Sequence, residues 1–203
     1  MSPWLLLTLL GAWHGVNPAM GWLFAVARGL QEQRRSAVYL ALLPIALGHA
    51  ASVALAVAAF ALLRDTAPAL LRWSGVSALI AFGLFKLLRP RSHPRWVGMR
   101  VSAVELTFWS FLMSSAHGAG LMLLPVMLLL PGDSNAAHQH AGHLATDARA
   151  VALHTLVMFV VMTAAAVVVY EKVGVAVLRR AWVNMDVVWA VTIVVAGVAA
   201  IFA

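Results

Sequence analysis

Six long, almost uncharged apolar stretches constrain the fold of this chain more than any other feature. They cover residues 3–27, 37–63, 73–88, 103–130, 150–170 and 183–203, and the third is expected to begin nearer Pro68. A helix needs about 20 residues to cross about 30 Å of hydrocarbon. Hydrophobic residues make up 63% of the chain and charged residues 10%, and the mean hydropathy is +0.92. We therefore expect an all-α integral membrane protein with six transmembrane helices.

Basic residues follow the positive-inside pattern. The connections after spans one, three and five contain most of the 14 Lys and Arg residues. This places loops 1, 3 and 5 in the cytoplasm and both termini outside, in a multi-pass protein of the plasma (inner) membrane. The net charge of +7 thus reports topology rather than nucleic-acid binding. The absence of cysteine excludes thiol chemistry, and the first span lacks the features of a cleaved signal.

The two halves of the chain repeat one pattern. AWHGVNP and LGHAAS carry His14 and His49 in the first half, and SAHGAG and ALHTLV carry His117 and His154 in the second. The separations are 35 and 37 residues. Because each half has three spans, the second must enter the membrane in the opposite orientation. We predict a 3+3 inverted-topology repeat within one membrane domain, 1–203, with repeats at 1–90 and 101–203.

Glycine and proline are expected to interrupt helices 1 and 4. The interrupting residues are Gly11, Gly15, Pro18 and Gly21 in span one, and Gly118, Gly120 and Pro125 in span four. Spans three and six each carry one glycine in an apolar run, Gly83 and Gly197. Proline removes the hydrogen bond to the carbonyl four residues earlier, which predicts a freed His14 carbonyl. Interrupted helices in matching places of two repeats form the midplane substrate site of many secondary transporters.

Polar side chains share helix faces with these histidines. The rows are His14 with Asn17, His49 with Ser52, His154 with Met158 and Met162, and Thr107, Ser110, Ser114 and His117. Membrane histidines and serines also serve as simple packing groups, and methionines as core filler. The occurrence of His-Gly beside a broken helix in both halves favours a functional polar site.

Imidazole is a common ligand of Zn, Ni, Co and Cu. The candidate substrate- or metal-binding residues are His14, Asn17, His49, His117 and His154, with Met20, Ser52, Ser114, Met122 and Met158 as secondary residues. The external loop, 131–148, adds His138, His140 and His143, which suit metal capture. The alternative for this loop is a solvated segment without metal.

The motif HGVNPAM resembles the His-x-x-acid-x-x-His signature of the nickel/cobalt transporters and their efflux relatives (NicO-like), and LGHAAS resembles their second-helix histidine motif. These proteins belong to the lysine-exporter (LysE) superfamily, whose six-span repeat architecture resembles the whole chain. The resemblance implies that His14 matches the first histidine, Asn17 the acidic position, Pro18 the proline of the efflux branch and Met20 the closing histidine. Two ligands therefore differ in this divergent member, which favours a softer, neutral site for Cu(I) or a non-metal substrate.

These features predict a secondary transporter, specifically an exporter, rather than an enzyme. Its substrate would be a transition-metal cation (Ni, Co, Zn or Cu), moved through a histidine-lined midplane site by alternating access. No nucleotide-binding motif is present, so an ion or proton gradient would drive transport, with a histidine carrying the proton. We expect no permanently bound cofactor. The expected partners are the lipid bilayer and the metal cation or small solute, without nucleic acid.

Three alternatives remain open. The same fold could transport a small organic or anionic solute, held by half-helix N-termini. A bis-histidine haem protein could transfer electrons, with Trp13, Trp22 and Trp109 beside the macrocycle. A scaffold would use the histidines only for packing. The predicted site also lacks a central acid, because Glu105 and Asp186 lie near span ends, where interfacial solvation explains them.

Overall fold

The computed structural model describes residues 1–64, 68–88, 102–130, 139–173, 185–199 and 201. This part of the chain is helical and contains no strand. The helices are α1 (Pro3–Val16), a 3₁₀ turn (Pro18–Met20), α2 (Trp22–Glu32), α3 (Arg35–Arg64), α4 (Pro68–Leu88), α5 (Ala103–Ala116), α6 (Ala119–Leu128), α7 (Gln139–Val168), which continues as a π-helical turn (Val169–Val173), and α8 (Met185–Ala199).

Two helices are long and apolar enough to cross a membrane, over Arg35–Leu62 and His143–Val173. A third candidate is the pair α5 and α6, which is bent by 56° at a short break. Pro3–Val16 and Trp73–Leu88 are shorter apolar helices. The described chain is therefore all-α with two to three helices able to span a membrane.

The first break separates α1 from α2. Pro18 begins the 3₁₀ turn, and Gly21 ends it with φ of 107°. That left-handed conformation strains any residue with a Cβ, so glycine is needed here. The prediction of a freed His14 carbonyl is wrong, because that oxygen accepts a bond from the Asn17 N–H at 3.2 Å. The last hydrogen bond of α1 joins residues three positions apart instead of four, so the His14 carbonyl keeps a partner.

The second break separates α5 from α6. His117 ends α5, and Gly118 follows with φ of 70°. Pro125, by contrast, lies inside α6. Helix four is therefore interrupted by glycine, and the expectation that Pro125 contributes to the break is wrong.

The predicted external loop is shorter than 131–148, because α7 begins at Gln139. Residues 131–138, including His138, lie outside the described residues. The end of the predicted loop, residues 139–148, is part of α7, and burial of one face explains this. Asp147 and Ala150 are both buried against the rest of the bundle.

Three helix pairs make the most extensive contacts: α1 with α7, α3 with α5, and α4 with α8. Glycines lie where two backbones meet. A Cβ on Gly11 would stand 2.6 Å from the His154 carbonyl oxygen, and a Cβ on Gly48 would overlap the Thr107 carbonyl oxygen. Small residues allow this close approach, which is the usual basis of helix association in membranes.

Candidate functional site

Three imidazoles from three helices meet in the interior. The ring centres of His14 (α1) and His154 (α7) are 4.8 Å apart, those of His14 and His49 (α3) 5.4 Å, and those of His49 and His154 5.7 Å. All three residues are at most 1% exposed. We call this group the histidine cluster. It brings together three of the four histidines that the sequence places in membrane helices.

Two apolar clusters enclose the histidine cluster along the helices. On α3 the histidine lies between Ile45 of the first cluster and Val53 of the second. On α7 it lies between Met158 of the first cluster and Ala150 of the second. Apolar side chains therefore pack on both sides of the histidine cluster along the helices, and we call the cluster and its polar neighbours the polar layer.

The position of His14 follows from the two glycines that flank it. A Cβ on Gly11 or Gly15 would stand 2.6 Å from the carbonyl oxygens of His154 and Met158, respectively. Their lack of side chains lets α1 approach the backbone of α7 over one turn. The imidazole between them is therefore held against the same stretch of α7.

Backbone carbonyls fix the orientation of two rings. The Nδ1 of His14 lies 2.8 Å from the Leu10 carbonyl oxygen, and that of His117 lies 2.7 Å from the Met113 carbonyl oxygen. A carbonyl only accepts hydrogen bonds, so Nδ1 carries the hydrogen in each ring. In the neutral imidazole Nε2 is then the acceptor or ligand nitrogen.

His49 is held by the second half of the chain. Its Nδ1 lies 2.9 Å from the Ser114 hydroxyl, and the Ser110 hydroxyl donates to the Ile45 carbonyl at 2.7 Å. Thr107, by contrast, bonds to the Ala103 carbonyl of its own helix. The predicted polar row of span four therefore divides, with Ser110 and Ser114 facing α3.

His154 is the member of the histidine cluster whose ring nitrogens are both without an ordinary hydrogen bond among the described residues. The Leu7 backbone nevertheless lies near enough to interact with the ring. The residue is fully buried. Buried polar atoms usually have partners, so such a ring is a candidate for binding a ligand.

Two further predicted residues lie at the helix breaks. His117 is 1% exposed and interacts electrostatically with His14. Asn17 is also 1% exposed, and its Oδ1 accepts a bond from the Ala19 N–H at 3.0 Å. Its amide nitrogen has no hydrogen-bond partner within the described chain. Asn17 therefore caps the 3₁₀ turn, and it does not share a helix face with His14 because α1 ends at Val16.

The spacing of the three rings is close to that of a metal site. Imidazoles on one tetrahedral ion have ring centres roughly 5 Å apart when metal–nitrogen distances are about 2.0–2.1 Å. Yet no group of three or more His, Asp or Glu residues in the described part of the chain could hold a metal ion as the rings stand. A metal bound by all three rings would require them to turn.

The secondary candidate residues are buried, but they lie in different parts of the structure. Met158 and Met162 pack in the first apolar cluster, and Met122 packs in a third one with Leu79 and Ile193. Met20 is 3% exposed, in the first break. The Ser52 hydroxyl lies 2.9 Å from that of Ser115.

The proposed metal-capture loop is only partly described. His138 and the side chain of His140 lie outside the described residues, and His143 is half-buried on α7. Of the tryptophans, Trp13 is 38% exposed, the Trp22 Nε1 donates to the Val16 carbonyl at 3.2 Å, and Trp109 packs on Phe24. Trp22 and Trp109 therefore stabilise the region of the first break.

Among the described residues, sequence reasoning missed two buried charged side chains, Asp147 at 4% and Lys86 at 6% exposure. Asp147 precedes His154 by seven residues, which places both on one face of α7 about 10 Å apart along the helix axis. The i, i+7 spacing of Asp147 and His154 is visible in the sequence and could have identified Asp147 as a residue on the same helix face. Glu105 forms a capping box with Ser102 at the start of α5, which agrees with an interfacial role. The side chain of Asp186 lies outside the described residues.

Comparisons with protein-family models, curated proteins and solved structures find no match to this chain. The resemblance of the HGVNPAM and LGHAAS motifs to nickel/cobalt transporters therefore stays a prediction. Function has to be inferred from the geometry of the buried site.

Proposed function

We propose that this chain is a secondary transporter of the NicO-like type within the LysE superfamily, exporting a transition-metal cation through the histidine cluster. The observation that carries this proposal is the meeting of three buried imidazoles from α1, α3 and α7 beside a helix break. Apolar packing encloses this polar layer on both sides. An occluded polar site of this kind suits alternating access, in which one apolar layer opens at a time.

The helix pairs support the proposed 3+3 inverted repeat. In the proposed repeat α1 corresponds to α5, α3 to α7, and α4 to α8. Exchanging the two halves therefore converts the α1–α7 pair into the α5–α3 pair and leaves the α4–α8 pair unchanged. These are the three pairs with the most extensive contacts. The matching glycines also contact each other's helices. A Cβ on Gly83 would stand 3.1 Å from the Val194 nitrogen, and one on Gly197 would stand 2.9 Å from the Ile80 side chain. We propose six spans with both termini outside and loops 1, 3 and 5 in the cytoplasm.

The helix breaks favour a cation. His14 lies in the last turn of α1, and His117 ends α5. Both rings donate from Nδ1 to the carbonyl four residues earlier. The C-terminal ends of half-helices carry partial negative charge and coordinate cations in broken-helix transporters. The C-terminal ends of α1 and α5, which correspond in the proposed repeat, therefore both favour a cation near His14 and His117.

The orientation of these rings also suits a metal. Metal-binding histidines usually donate their second ring nitrogen to a carbonyl or carboxylate, which fixes the tautomer and raises ligand basicity. The Leu10 and Met113 carbonyls provide that support. A bis-histidine haem would need its macrocycle between two imidazoles. Ring centres only 4.8–5.7 Å apart favour a small ion instead.

Equilibrium dialysis of the purified protein in detergent against Ni, Co, Zn and reduced Cu tests this proposal. We expect near-stoichiometric binding of one metal, lost in His154→Ala and in the double variant His14→Ala/His117→Ala. The matched control is Thr107→Val, which removes a hydroxyl that bonds to the Ala103 carbonyl of its own helix and should retain binding. Equal binding by His154→Ala and the parent would contradict the proposal, provided that both unfold at similar temperatures.

A transport assay separates binding from function. In proteoliposomes with an imposed pH gradient, the parent should move the bound metal, and His154→Ala should not. Metal that binds but does not move under any gradient would favour a scaffold or storage role.

A further inference from the structure

Helices α4 and α8 contact each other far more extensively than either contacts any other helix of the described structure. A Cβ on Gly83 of α4 would stand 3.1 Å from the Val194 nitrogen, and one on Gly197 of α8 would stand 3.3 Å from the Ile80 nitrogen. Each glycine therefore lies against the backbone of the other helix. Small residues on both helices allow this close approach, which holds α4 and α8 together as a unit.

This pair of helices lies against both helix breaks. Phe82 of α4 packs over the second break, because a Cβ on Gly118 would stand 3.3 Å from the Phe82 ring and 3.9 Å from the Ile193 side chain. Helix α8 also contacts the 3₁₀ turn of the first break. His117 is 1% exposed and immediately precedes the glycine under the Phe82 ring. The α4–α8 pair therefore covers the two breaks beside the polar layer.

A small apolar cluster joins the α4–α8 pair to the other helices. In this cluster Leu79 and Ile193 from the pair meet Met122 of α6, and all three are at most 2% exposed. Apolar contacts have no fixed direction, so two such surfaces can slide past each other. The α3–α5 seam differs, because the hydrogen bond between His49 and Ser114 fixes its register. The contacts of α4 and α8 with the other helices are therefore suited to movement.

We propose that α4 and α8 move as one body and form the gate of the transporter, closing over both helix breaks when the site is occluded. This inference rests on the proposed transport function and names its moving part. Rigid-body rocking of one bundle against another is a common basis of alternating access. Displacement of Phe82 from Gly118 opens a path to His117 and the polar layer.

Distances between spin labels test this inference, because the chain contains no cysteine and four exposed positions accept labels. The full chain is studied in lipid nanodiscs by double electron–electron resonance. Leu88→Cys/Val198→Cys reports on the α4–α8 pair, and Leu62→Cys/Val160→Cys reports on α3 and α7. Leu88→Cys/Val160→Cys measures the distance between the two bodies.

We expect one narrow distance within each body and two populations of the distance between the bodies. The two populations should differ by about 5 Å, the rise of one helical turn. Zn(II) is the probe, because it is diamagnetic and does not disturb the labels. Its addition should change the ratio of the two populations and leave both internal distances unchanged.

Phe82→Ala removes the ring that covers the second break, and Phe85→Ala is its matched control. Phe85 lies on the same helix but is 45% exposed. Phe82→Ala should move the distance between the bodies towards the longer population, whereas Phe85→Ala should keep the parent distribution. Equal distributions in the two variants would contradict the gating contact of Phe82. If Phe82→Ala does not fold, the label pairs in the otherwise unchanged chain decide.

The outcomes separate this inference from the proposed metal transport. Two populations between the bodies, in a protein that binds no metal in dialysis, would support the gate and refute metal transport. Three narrow and unchanging distances, in a protein that retains one Zn(II), would refute the gate and leave the metal site. An α4–α8 distance that changes as much as the distance between the bodies would also refute the gate, because the two helices then move separately. If no metal binds and all three distances are fixed, both proposals fail.

Discussion

The Nδ1 of His49 lies 2.9 Å from the hydroxyl of Ser114, and the two residues are separated by 65 positions in the chain. This bond joins α3 of the first half to α5 of the second. Beside it, the Ser110 hydroxyl donates to the Ile45 carbonyl at 2.7 Å, and Gly48 lets the two backbones approach. The seam between α3 and α5 thus orients one ring of the histidine cluster.

Ser114→Ala should destabilise the protein and release His49. The substitution leaves a buried ring nitrogen without its partner, which costs about 1–3 kcal/mol in the free energy of unfolding. Thermal unfolding in detergent measures the loss, and metal binding should weaken because the ring is no longer held. The control is Thr107→Val, whose hydroxyl bonds only to its own helix. If Ser114→Ala and Thr107→Val lower the unfolding temperature equally, the prediction that the His49–Ser114 bond contributes more to stability is contradicted.

Gly48→Ala should separate α3 from α5. The added Cβ would overlap the Thr107 carbonyl oxygen and stand 2.8 Å from the Ser110 Cβ. Overpacking of this kind costs about 1–3 kcal/mol, and the seam bonds should weaken with it. Gly75→Ala is the matched control, since its nearest neighbour would be 3.9 Å away. That variant should unfold at the parent temperature or slightly above it, because alanine favours helix over glycine. Equal stability of Gly48→Ala and the parent would contradict the close packing.

The helix breaks show what sequence reasoning can and cannot predict. Pro18 and Gly21 locate the first break, because proline lacks an N–H and glycine tolerates the left-handed conformation. In span four both Gly118 and Pro125 weaken a helix on the same grounds. The break falls at Gly118, which adopts a positive φ, whereas Pro125 lies inside α6.

The candidate site depends still more on tertiary packing. The sequence places histidines in four spans, but whether the rings meet depends on how each helix is rotated and tilted. Gly11, Gly15 and Gly48 set those contacts here. Asp147 falls in the predicted loop, 131–148, whereas in the structure it is buried on α7, which begins at Gln139.

Glu32 should titrate below the usual range of a glutamate. Hydrogen bonds from Arg28, at 2.8 Å, and from Arg34 hold the pKa of its carboxyl below 4.5. Because the folded pKa is the lower one, these ion pairs stabilise the protein above about pH 4.5 and lose this effect as the pH falls through the folded pKa. Carbon-13 NMR of glutamate-labelled protein measures the midpoint.

Arg28→Gln should raise the pKa of Glu32 towards its ordinary value. Arg35→Gln is the control, because Arg35 pairs with Glu171 at 2.8 Å and should leave Glu32 unchanged. A Glu32 midpoint at or above 4.5 in the parent would contradict the assignment.

The membrane topology can be tested directly, since the chain contains no cysteine. Single-cysteine variants at Ser2 and Gln139 should react with an impermeant maleimide in intact cells. Variants at Gln33 and Lys172 should react only after the membrane is opened. The ion pair between Arg35 and Glu171 already places the start of α3 and the end of α7 at one end of the molecule. Positive residues near both segments predict that this end is cytoplasmic.

Each pair of cysteine variants tests a different part of the proposed repeat. Opposite sides for Ser2 and Gln33 require one crossing by α1 and α2 together, so the interrupted helix spans the membrane as a unit. Opposite sides for Gln139 and Lys172 require the same of α7. If Ser2 and Gln33 label from the same side, the first segment is re-entrant, and the inverted 3+3 repeat is refuted even where the histidine cluster binds metal.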